Sequence, residues 1–424
     1  MDVVALILFL VVIIIAFVKK MNVGVLALAV GVIAVRIFGM TDKDLIAGIS
    51  TSMFATLTGI TLLFAIINTT GALDLLARKI VAAAGKHMAI IPIAIYAAGF
   101  IVAGIGPGAV PALAIIPALA VSIAVEVGYN PVMLAIIGEC GLMGGRMTPI
   151  TPEAAIIESA AESAGLFGVM PTVLICQTFT TVALSIVIYI IFKGYKVKEP
   201  KNALSLKDLP KFNSKQIIAL LGIVAMLVLL IGFNVNIALV AFLVSAVLVL
   251  LGVGDDGVSI MKLPWATICM VLGVGALLDI VNKAGGIDLL SNALFSIMNK
   301  TTAIPLMGVA AGLLSLVSSA LGVVYPTMMP MSVDIAAQFA GSINPVAMMG
   351  AVGVGGSLAG LSPLSTGGAL ILAALATNAP TFNREKRDKV FVQLFGYAAI
   401  GLVVIMITSA LGFNFIANTV FGVA

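Results

Sequence analysis

Runs of apolar residues long enough to cross a lipid bilayer recur along the whole chain. Examples are Val3–Val18, Val23–Phe38, Thr51–Ile67, Gly168–Phe192, Gln216–Gly232 and Val390–Gly412. An α-helix needs about 20 predominantly apolar residues to span the hydrocarbon core. The polar residues lie in short breaks between these runs, and no segment has the length or polarity of a separate soluble domain. The pattern predicts an all-α, polytopic membrane protein.

The polar, glycine and proline positions repeat after 214 residues, so that Asn22 corresponds to Asn236. The phrase Asn-x-x-Gly-x-x-Asp-Leu-Leu, residues 68–76, recurs at residues 282–290. Chance similarity between apolar runs would match Leu and Ala, whereas these matches include Asn, Asp and Gly, which have specific backbone roles. The chain is therefore a tandem duplication.

Each repeat has the same predicted order: scaffold helices, a short arm helix, a two-armed apolar hairpin, a broken helix and a last helix. The first repeat, 1–193, has scaffold helices 1–70, arm helix 71–87, hairpin 88–127, broken helix 130–165 and last helix 168–193. After a cytoplasmic linker, 194–215, the second repeat, 216–424, has scaffold helices 216–282, arm helix 283–300, hairpin 303–340, broken helix 344–377 and last helix 390–412. The hairpins are either re-entrant or pairs of full crossings. Each repeat crosses the membrane five times with a re-entrant hairpin or seven times with full crossings. The number is odd in both cases, so we predict inverted repeats.

The basic residues indicate how the chain is inserted. With the N-terminus outside, most of the 22 Lys and Arg residues fall on the cytoplasmic side, including those of Lys193–Lys215. This distribution obeys the positive-inside rule. We predict a multi-pass protein of the cell inner (plasma) membrane with both termini outside, and the basic linker requires no nucleic acid partner.

Composition and motifs exclude several classes of function. Hydrophobic residues make up 62% of the chain and charged residues 9%. The three cysteines lie inside apolar runs, and a single histidine excludes a multi-histidine metal site. No Walker A loop, H-E-x-x-H motif or nucleophile elbow is present. We therefore expect a transporter driven by an ion gradient or by exchange, not an enzyme, with no cofactor and with Na⁺ or H⁺ as the candidate coupling ion.

Two equivalent segments, 141–152 and 355–368, combine glycines with proline and cannot form continuous helices. Irregular backbone at membrane depth is tolerated only where it is buried in protein or lines a watery cavity. Broken helices also present N–H groups to anions and carbonyl groups to cations. The hydroxyl residues here and at the second hairpin tip are therefore candidate substrate ligands: Thr148, Thr151, Ser318, Ser319, Ser362, Ser365 and Thr366.

Arg146 lies inside the first break, where a charged side chain costs about 2.5–3.5 kcal/mol on insertion scales. Its counterpart in the second repeat is Gly360, so the fold does not need the arginine. It either binds a substrate carboxylate in bidentate fashion or forms an internal ion pair with Glu139, two helical turns earlier. Three further acids, Glu153, Glu158 and Glu162, are predicted to form a solvated face.

The N-terminal part resembles the malonate and dicarboxylate carrier family through residues 22–28, 44–48 and 54–65. The whole chain is similar to the superfamily that contains the divalent-anion:sodium symporters. This resemblance implies a homodimeric elevator-type transporter in the lipid bilayer, with a small carboxylate such as malonate or a C4-diacid as substrate. It also implies ion sites between hairpin tips and breaks, formed here by Gly104, Gly108, Gly144, Gly145, Gly322 and Ala359, with Glu139 as a further candidate.

Two other transport functions stay open at this point. One is the membrane subunit of a TRAP-type carrier, and the other is a cation/proton antiporter of the same superfamily. Paired essential acids in the pocket would indicate the antiporter, whereas an essential Arg146 would indicate anion transport.

The charge distribution generates a topology prediction. In a cysteine-free background, Lys211→Cys in the linker should react with a membrane-impermeant thiol reagent only in inside-out vesicles. Lys300→Cys, predicted to lie outside, should react in intact cells. Labelling of Lys211→Cys in intact cells would contradict the predicted orientation.

Overall fold

The computed structural model describes residues 1–85, 87–197, 206–363, 365–379 and 384–422. Residue 86 of the predicted arm helix, residues 198–205 of the predicted linker and the side chain of Ala359 lie outside this description. Within the described ranges the chain is helical and contains no β-strand. Eight of its helices are long and apolar enough to cross a membrane, by length and composition.

The first half of the chain forms ten helices. They are α1 (Asp2–Lys19), α2 (Val23–Ile37), α3 (Asp42–Ala47), α4 (Thr51–Thr69), α5 (Ala72–Ala82), α6 (Ile90–Gly104), α7 (Ala109–Val127), α8 (Pro131–Gly145), α9 (Pro152–Ser163) and α10 (Met170–Ile191). The first predicted hairpin corresponds to α6 and α7, and the first predicted broken helix corresponds to α8 and α9.

The second half follows the same order. Its helices are α11 (Ser214–Leu227), α12 (Ile237–Leu250), α13 (Asp256–Met261), α14 (Trp265–Lys283), α15 (Gly286–Phe295), α16 (Ala303–Val317), α17 (Tyr325–Ala337), α18 (Pro345–Leu358), α19 (Thr366–Asn378), α20 (Arg384–Thr408) and α21 (Asn414–Val420). The bounds of α13 and α14 equal those of α3 and α4 shifted by the repeat length, and several other pairs agree to within one or two residues.

The polar residues that repeat in the sequence occupy equivalent helix ends. The Asn22 side chain accepts a hydrogen bond from Gly24 N at 3.0 Å and caps α2, and Asn236 accepts one from Ala238 N at 2.9 Å and caps α12. Gly71 and Gly285 precede α5 and α15 with φ values of +68° and +81°, a conformation that glycine adopts without steric cost. The duplication therefore preserves the residues that begin the helices.

Glycines bring the predicted scaffold helices of the two halves into contact. Helix α2 packs against α14, and helix α4 packs against α12. Gly273 of α14 lies against the backbone of Gly24, and its counterpart Gly59 lies against the carbonyl oxygen of Ala238. These two contacts correspond to each other when the two repeats are exchanged. An approximate two-fold axis between the repeats would produce such a reciprocal pair.

The first halves of the two broken helices, α8 and α18, form the centre of the molecule. Every residue from Val132 to Gly145 in α8 is buried, as is every residue from Val346 to Leu358 in α18. Helix α8 packs against α6, α7 and α10, and α18 packs against α16, α17 and α10. Gly141 lets α8 reach the backbone of α6 at Tyr96, as small residues commonly do in membrane helix packing.

This crossing generates a stability prediction. A Cβ atom on Gly141 would lie 2.8 Å from the carbonyl carbon of Tyr96, so Gly141→Ala forces two helix backbones apart. We expect a loss of about 1–3 kcal/mol, the usual cost of overpacking, seen as a lower melting temperature in detergent. Gly396→Ala in α20 is the matched control, because no atom lies within 4 Å of its added Cβ and alanine favours a helix. Equal melting temperatures for the two variants would contradict the packing role of Gly141.

Candidate functional site

The two broken helices have the same local hydrogen bonding. At the first break, the Thr151 hydroxyl lies 2.5 Å from Arg146 O and 3.0 Å from Thr148 O, and it accepts a hydrogen bond from Ala154 N at 3.2 Å. At the second break, the Ser365 hydroxyl contacts Gly360 O and Ser362 O in the same way, and it accepts from Gly368 N at 3.3 Å. These hydroxyls satisfy backbone groups that the breaks release. Their role as substrate ligands stays a prediction.

The first hairpin tip contacts the first break. The Thr148 hydroxyl donates to Gly104 O at 2.5 Å, and a Cβ on Gly104 would lie 3.1 Å from Gly145 O. The structure thus brings Gly104, Gly145 and Thr148 together. Gly144 faces α6, where a Cβ would lie 3.1 Å from the Tyr96 hydroxyl.

The second hairpin tip lies against α1, α2 and α14. The Ser318 hydroxyl donates to Leu314 O at 2.7 Å, and the Ser319 hydroxyl accepts from Gly322 N at 3.2 Å. Gly322 packs on the side chain of Met270 in α14. The small cavity beside Ser318 and Ser319 has its described walls in α1, α2, α14 and the tip itself, and Arg146 does not line it.

Three charged side chains are buried among the described residues: Glu139, Arg146 and Glu153. Arg146 Nε lies 3.7 Å from Glu153 Oε1. The sequence-based prediction for Glu153 is therefore wrong, since the residue is 2% exposed and not on a solvated face. Helical periodicity does not predict the burial of Glu153, because its charged partner, Arg146, lies outside α9 in the preceding break. Glu158 is half-buried and Glu162 is exposed.

Glu139 extends from the first repeat to the second break. No ion pair within 4.0 Å joins it to Arg146 in the described part of the chain, so the alternative ion pair considered from the sequence is replaced by Arg146 with Glu153. A Cβ on Gly360 would lie 3.4 Å from Glu139 Oε1, and one on Gly367 would overlap that oxygen. Glu139 Oε2 is buried and has no hydrogen-bond partner.

All three buried charges have glycine as their counterpart in the second repeat. Glu139, Arg146 and Glu153 correspond to Gly353, Gly360 and Gly367. One of these glycines, Gly367, provides space that the Glu139 carboxylate occupies, and Gly360 lies beside the same carboxylate. The charged side chains of the cluster thus come from the first repeat, and the second repeat has glycine at the equivalent positions. The repeat alignment therefore groups Glu153 with the other two buried charges, because all three align with glycine. Its position on the helix alone did not predict its burial.

Two clefts share Ile156 of α9 in their walls. Cleft A, about 300 Å³, is lined by both hairpin tips through Pro107 and Leu321, and by Glu153 and Lys262. Its other polar walls are Thr61, Asn68, Thr69 and Thr267. Cleft B, about 570 Å³, has the acidic residues Asp279, Asp288 and Asp334 in its walls. None of the substrate ligands predicted from the sequence lines either cleft in the described chain. Cleft A is instead lined by Asn68, Glu153 and Lys262, which the sequence analysis did not identify as candidate ligands.

The citrate transporter family profile matches residues 8–353. The chain belongs to the citrate transporter family. This membership indicates a secondary transporter, and hence a carrier and not an enzyme. It supports the general prediction of a carboxylate transporter family. It does not support the narrower resemblance to the malonate and dicarboxylate carriers. No curated protein sequence matches the chain.

Two solved transporters share the fold of this citrate transporter family member. One is the YdaH transporter of Alcanivorax borkumensis, whose crystal structure is described as having an unusual topology. Its TM-score is 0.62 at 14% identity, over 88% of this chain and 87% of that chain. The other is MtrF of Neisseria gonorrhoeae, described with a class of antimetabolite efflux pumps, at a TM-score of 0.57 and 12% identity over 89% and 84% of the two chains. At these identities the likeness concerns the fold alone.

The capping arrangement of this family member generates a prediction. Thr151→Val keeps the side-chain shape but removes the hydroxyl that contacts Arg146 O and Ala154 N, so we expect a loss of about 1 kcal/mol and a lower melting temperature. Thr151→Ser should retain most of the stability. Thr377→Val is the control, because the Thr377 hydroxyl is exposed and bonds only within its own helix. A Thr151→Val variant as stable as the control would argue against the cap.

Proposed function

We propose that the chain is a secondary active transporter of a citrate-like carboxylate anion, with the substrate held by the buried charge cluster at the first break. The observation that carries this proposal is the burial of Arg146, Glu139 and Glu153 at a helix break of a membrane protein. Ionisable groups at membrane depth are costly, and their usual reason is substrate or ion binding. A guanidinium is the side chain best matched to a carboxylate. Membership of the citrate transporter family supports the same substrate class.

The charge of the cluster supports coupling to a cation. Two carboxylates and one guanidinium leave one negative charge when all are ionised, and an anionic substrate adds more. Entry of H⁺ or Na⁺ with the substrate offsets this repulsion. Glu139 is the proposed carrier, because Oε2 is buried without a partner. Carbonyl groups near Gly104, Gly108, Gly145 and Gly322 are proposed to complete an ion site with it.

The arrangement of the clefts supports alternating access by an elevator mechanism. Clefts A and B both have residues of α9 in their walls, and each is also lined by predicted scaffold helices and a hairpin arm. The reciprocal contacts of α2 with α14 and α4 with α12 are consistent with inverted repeats, and an odd number of crossings per repeat would place the two clefts on opposite sides. The proposed assembly is a homodimer in the inner membrane.

A second candidate is cation/proton exchange, and the acidic wall of cleft B favours it. Asp279, Asp288 and Asp334 all line this cleft, although Asp279 is paired with Lys283 at 2.7 Å. Proteoliposomes without any carboxylate distinguish the two candidates. Cation-driven proton movement there would support the exchanger, whereas movement that requires citrate would support anion transport.

The role of Arg146 can be tested by changing its geometry and then its charge. Arg146→Lys keeps the charge but loses the bidentate geometry, so we expect citrate affinity to fall by about 1–3 kcal/mol. Arg146→Gly copies the second repeat and should reach the membrane yet fail to accumulate citrate. The measurement is counterflow of labelled citrate in proteoliposomes, together with di- and monocarboxylates. Arg78→Lys is the control, because Arg78 is exposed and paired with Asp74. Wild-type affinity in Arg146→Gly would overturn the proposed clamp.

Coupling generates a separate prediction for Glu139. Glu139→Gln removes the ionisable group while keeping its shape, so exchange of citrate for citrate should continue. Accumulation driven by a proton or sodium gradient should be lost. Uptake measured with each gradient in turn identifies the coupling ion. A Glu139→Gln variant that still accumulates citrate would exclude Glu139 as the carrier.

A further inference from the structure

The first hairpin tip holds a carboxylate of the protein itself. Glu153 Oε1 accepts a hydrogen bond from Ala109 N, the first amide of the 19-residue helix α7, at 2.8 Å. A Cβ on Gly108 would lie 2.9 Å from the Glu153 carboxyl carbon, so glycine is needed for this close approach. A helix N-terminus presents free N–H groups and a positive dipole end, and it therefore attracts an anion. Arg146 adds a full positive charge on the same carboxylate.

The second hairpin tip shows that an internal carboxylate is not required to build such a tip. There, the hydroxyl of Ser319 accepts from Gly322 N within the tip itself. The position equivalent to Glu153 is Gly367, and Met270 packs against Gly322. Ordinary capping by a local hydroxyl is thus sufficient at the second tip. The carboxylate at the first tip calls for a different explanation.

Only one oxygen of the Glu153 carboxylate has a hydrogen-bond partner. Its Oε2 atom is buried and has no hydrogen-bond partner, and neither has Arg146 Nε. The separation of 3.7 Å between Arg146 Nε and Glu153 Oε1 is longer than a charge-assisted hydrogen bond. Glu153 also lines cleft A, which gives this side chain a space next to its present position. A carboxylate that was only structural would be expected to have its second oxygen satisfied.

We propose that the N-terminus of α7 and the Arg146 guanidinium form a carboxylate-binding subsite, occupied in this state by Glu153, and that a carboxylate of the substrate replaces Glu153 there. The inference rests on the proposed anion transport and assigns the place where one carboxylate binds. Two carboxylates at this distance repel each other, so the subsite holds one at a time. The exchange keeps one negative charge at the tip, and Glu153 moves towards cleft A as the substrate enters.

The test uses formate as the probe, because it is the smallest carboxylate and needs no other contacts. Glu153→Ala leaves Ala109 N and Arg146 without their carboxylate, so formate should bind in its place. Ligand binding stabilises the folded state by mass action, and we expect the melting temperature of purified Glu153→Ala to rise by about 2 °C or more in saturating formate. Wild type should show no such rise, and chloride at equal ionic strength should not replace formate. Glu162→Ala is the control, because Glu162 is an exposed carboxylate on the same helix.

A second variant keeps the proposal testable if Glu153→Ala does not fold. Glu153→Gln preserves the side-chain shape and an acceptor for Ala109 N but removes the competing charge. It should bind citrate about tenfold more tightly than wild type, a change within the range of one charge-assisted hydrogen bond. Unchanged or weaker citrate binding in Glu153→Gln, or equal formate responses in Glu153→Ala and wild type, would overturn the subsite. Wild-type citrate counterflow is measured separately, so a failure of the proposed function is distinguishable from a failure of this inference.

Discussion

The structure depends on satisfying the backbone groups that two helix breaks release inside a membrane protein. Lipid tails cannot hydrogen-bond these groups, so a break at membrane depth needs partners within the protein or in a watery cavity. One hydroxyl at each break supplies them: Thr151 at the first and Ser365 at the second. Each bonds the carbonyl before the break and caps the helix after it. The breaks can therefore persist at the centre of the molecule without a ligand.

On this symmetric backbone the charges are asymmetric. Arg146, Glu139 and Glu153 all belong to the first repeat, and their counterparts are glycines. Because Glu139 lies next to Gly360 and Gly367, the two repeats contribute different residue types around one buried charge cluster. If the proposed function holds, this asymmetry lets a duplicated fold present one site to an asymmetric anion.

Much of the fold could be predicted from the sequence, because its signals are local. Proline, glycine and capping residues determine helix ends through their own backbone preferences, and Asn22, Gly71 and Pro131 begin helices as their types indicate. Glu153 could not be placed in this way. Its burial depends on a contact with Ala109, 44 residues earlier in the chain, and on the space beside Gly108. Ser318 and Ser319 illustrate the same limit, since their local sequence does not reveal that the second tip lies against α1, α2 and α14.

The glycine contacts have a mechanical consequence. Within the scaffold, backbone touches backbone where Gly24 meets Gly273, and around the broken helices it does so where Gly141 meets Tyr96 and Gly355 meets Gly308. Such contacts have no flexible atoms that could yield, so each group of helices resists shear. Between the groups, the hairpin tips rest on the ends of side chains, Gly106 on Phe64 and Gly322 on Met270. The Met270 thioether can change rotamer at little cost, whereas the Phe64 ring is fully buried. We therefore expect the contact between the second tip and α14 to yield more easily than the backbone contacts.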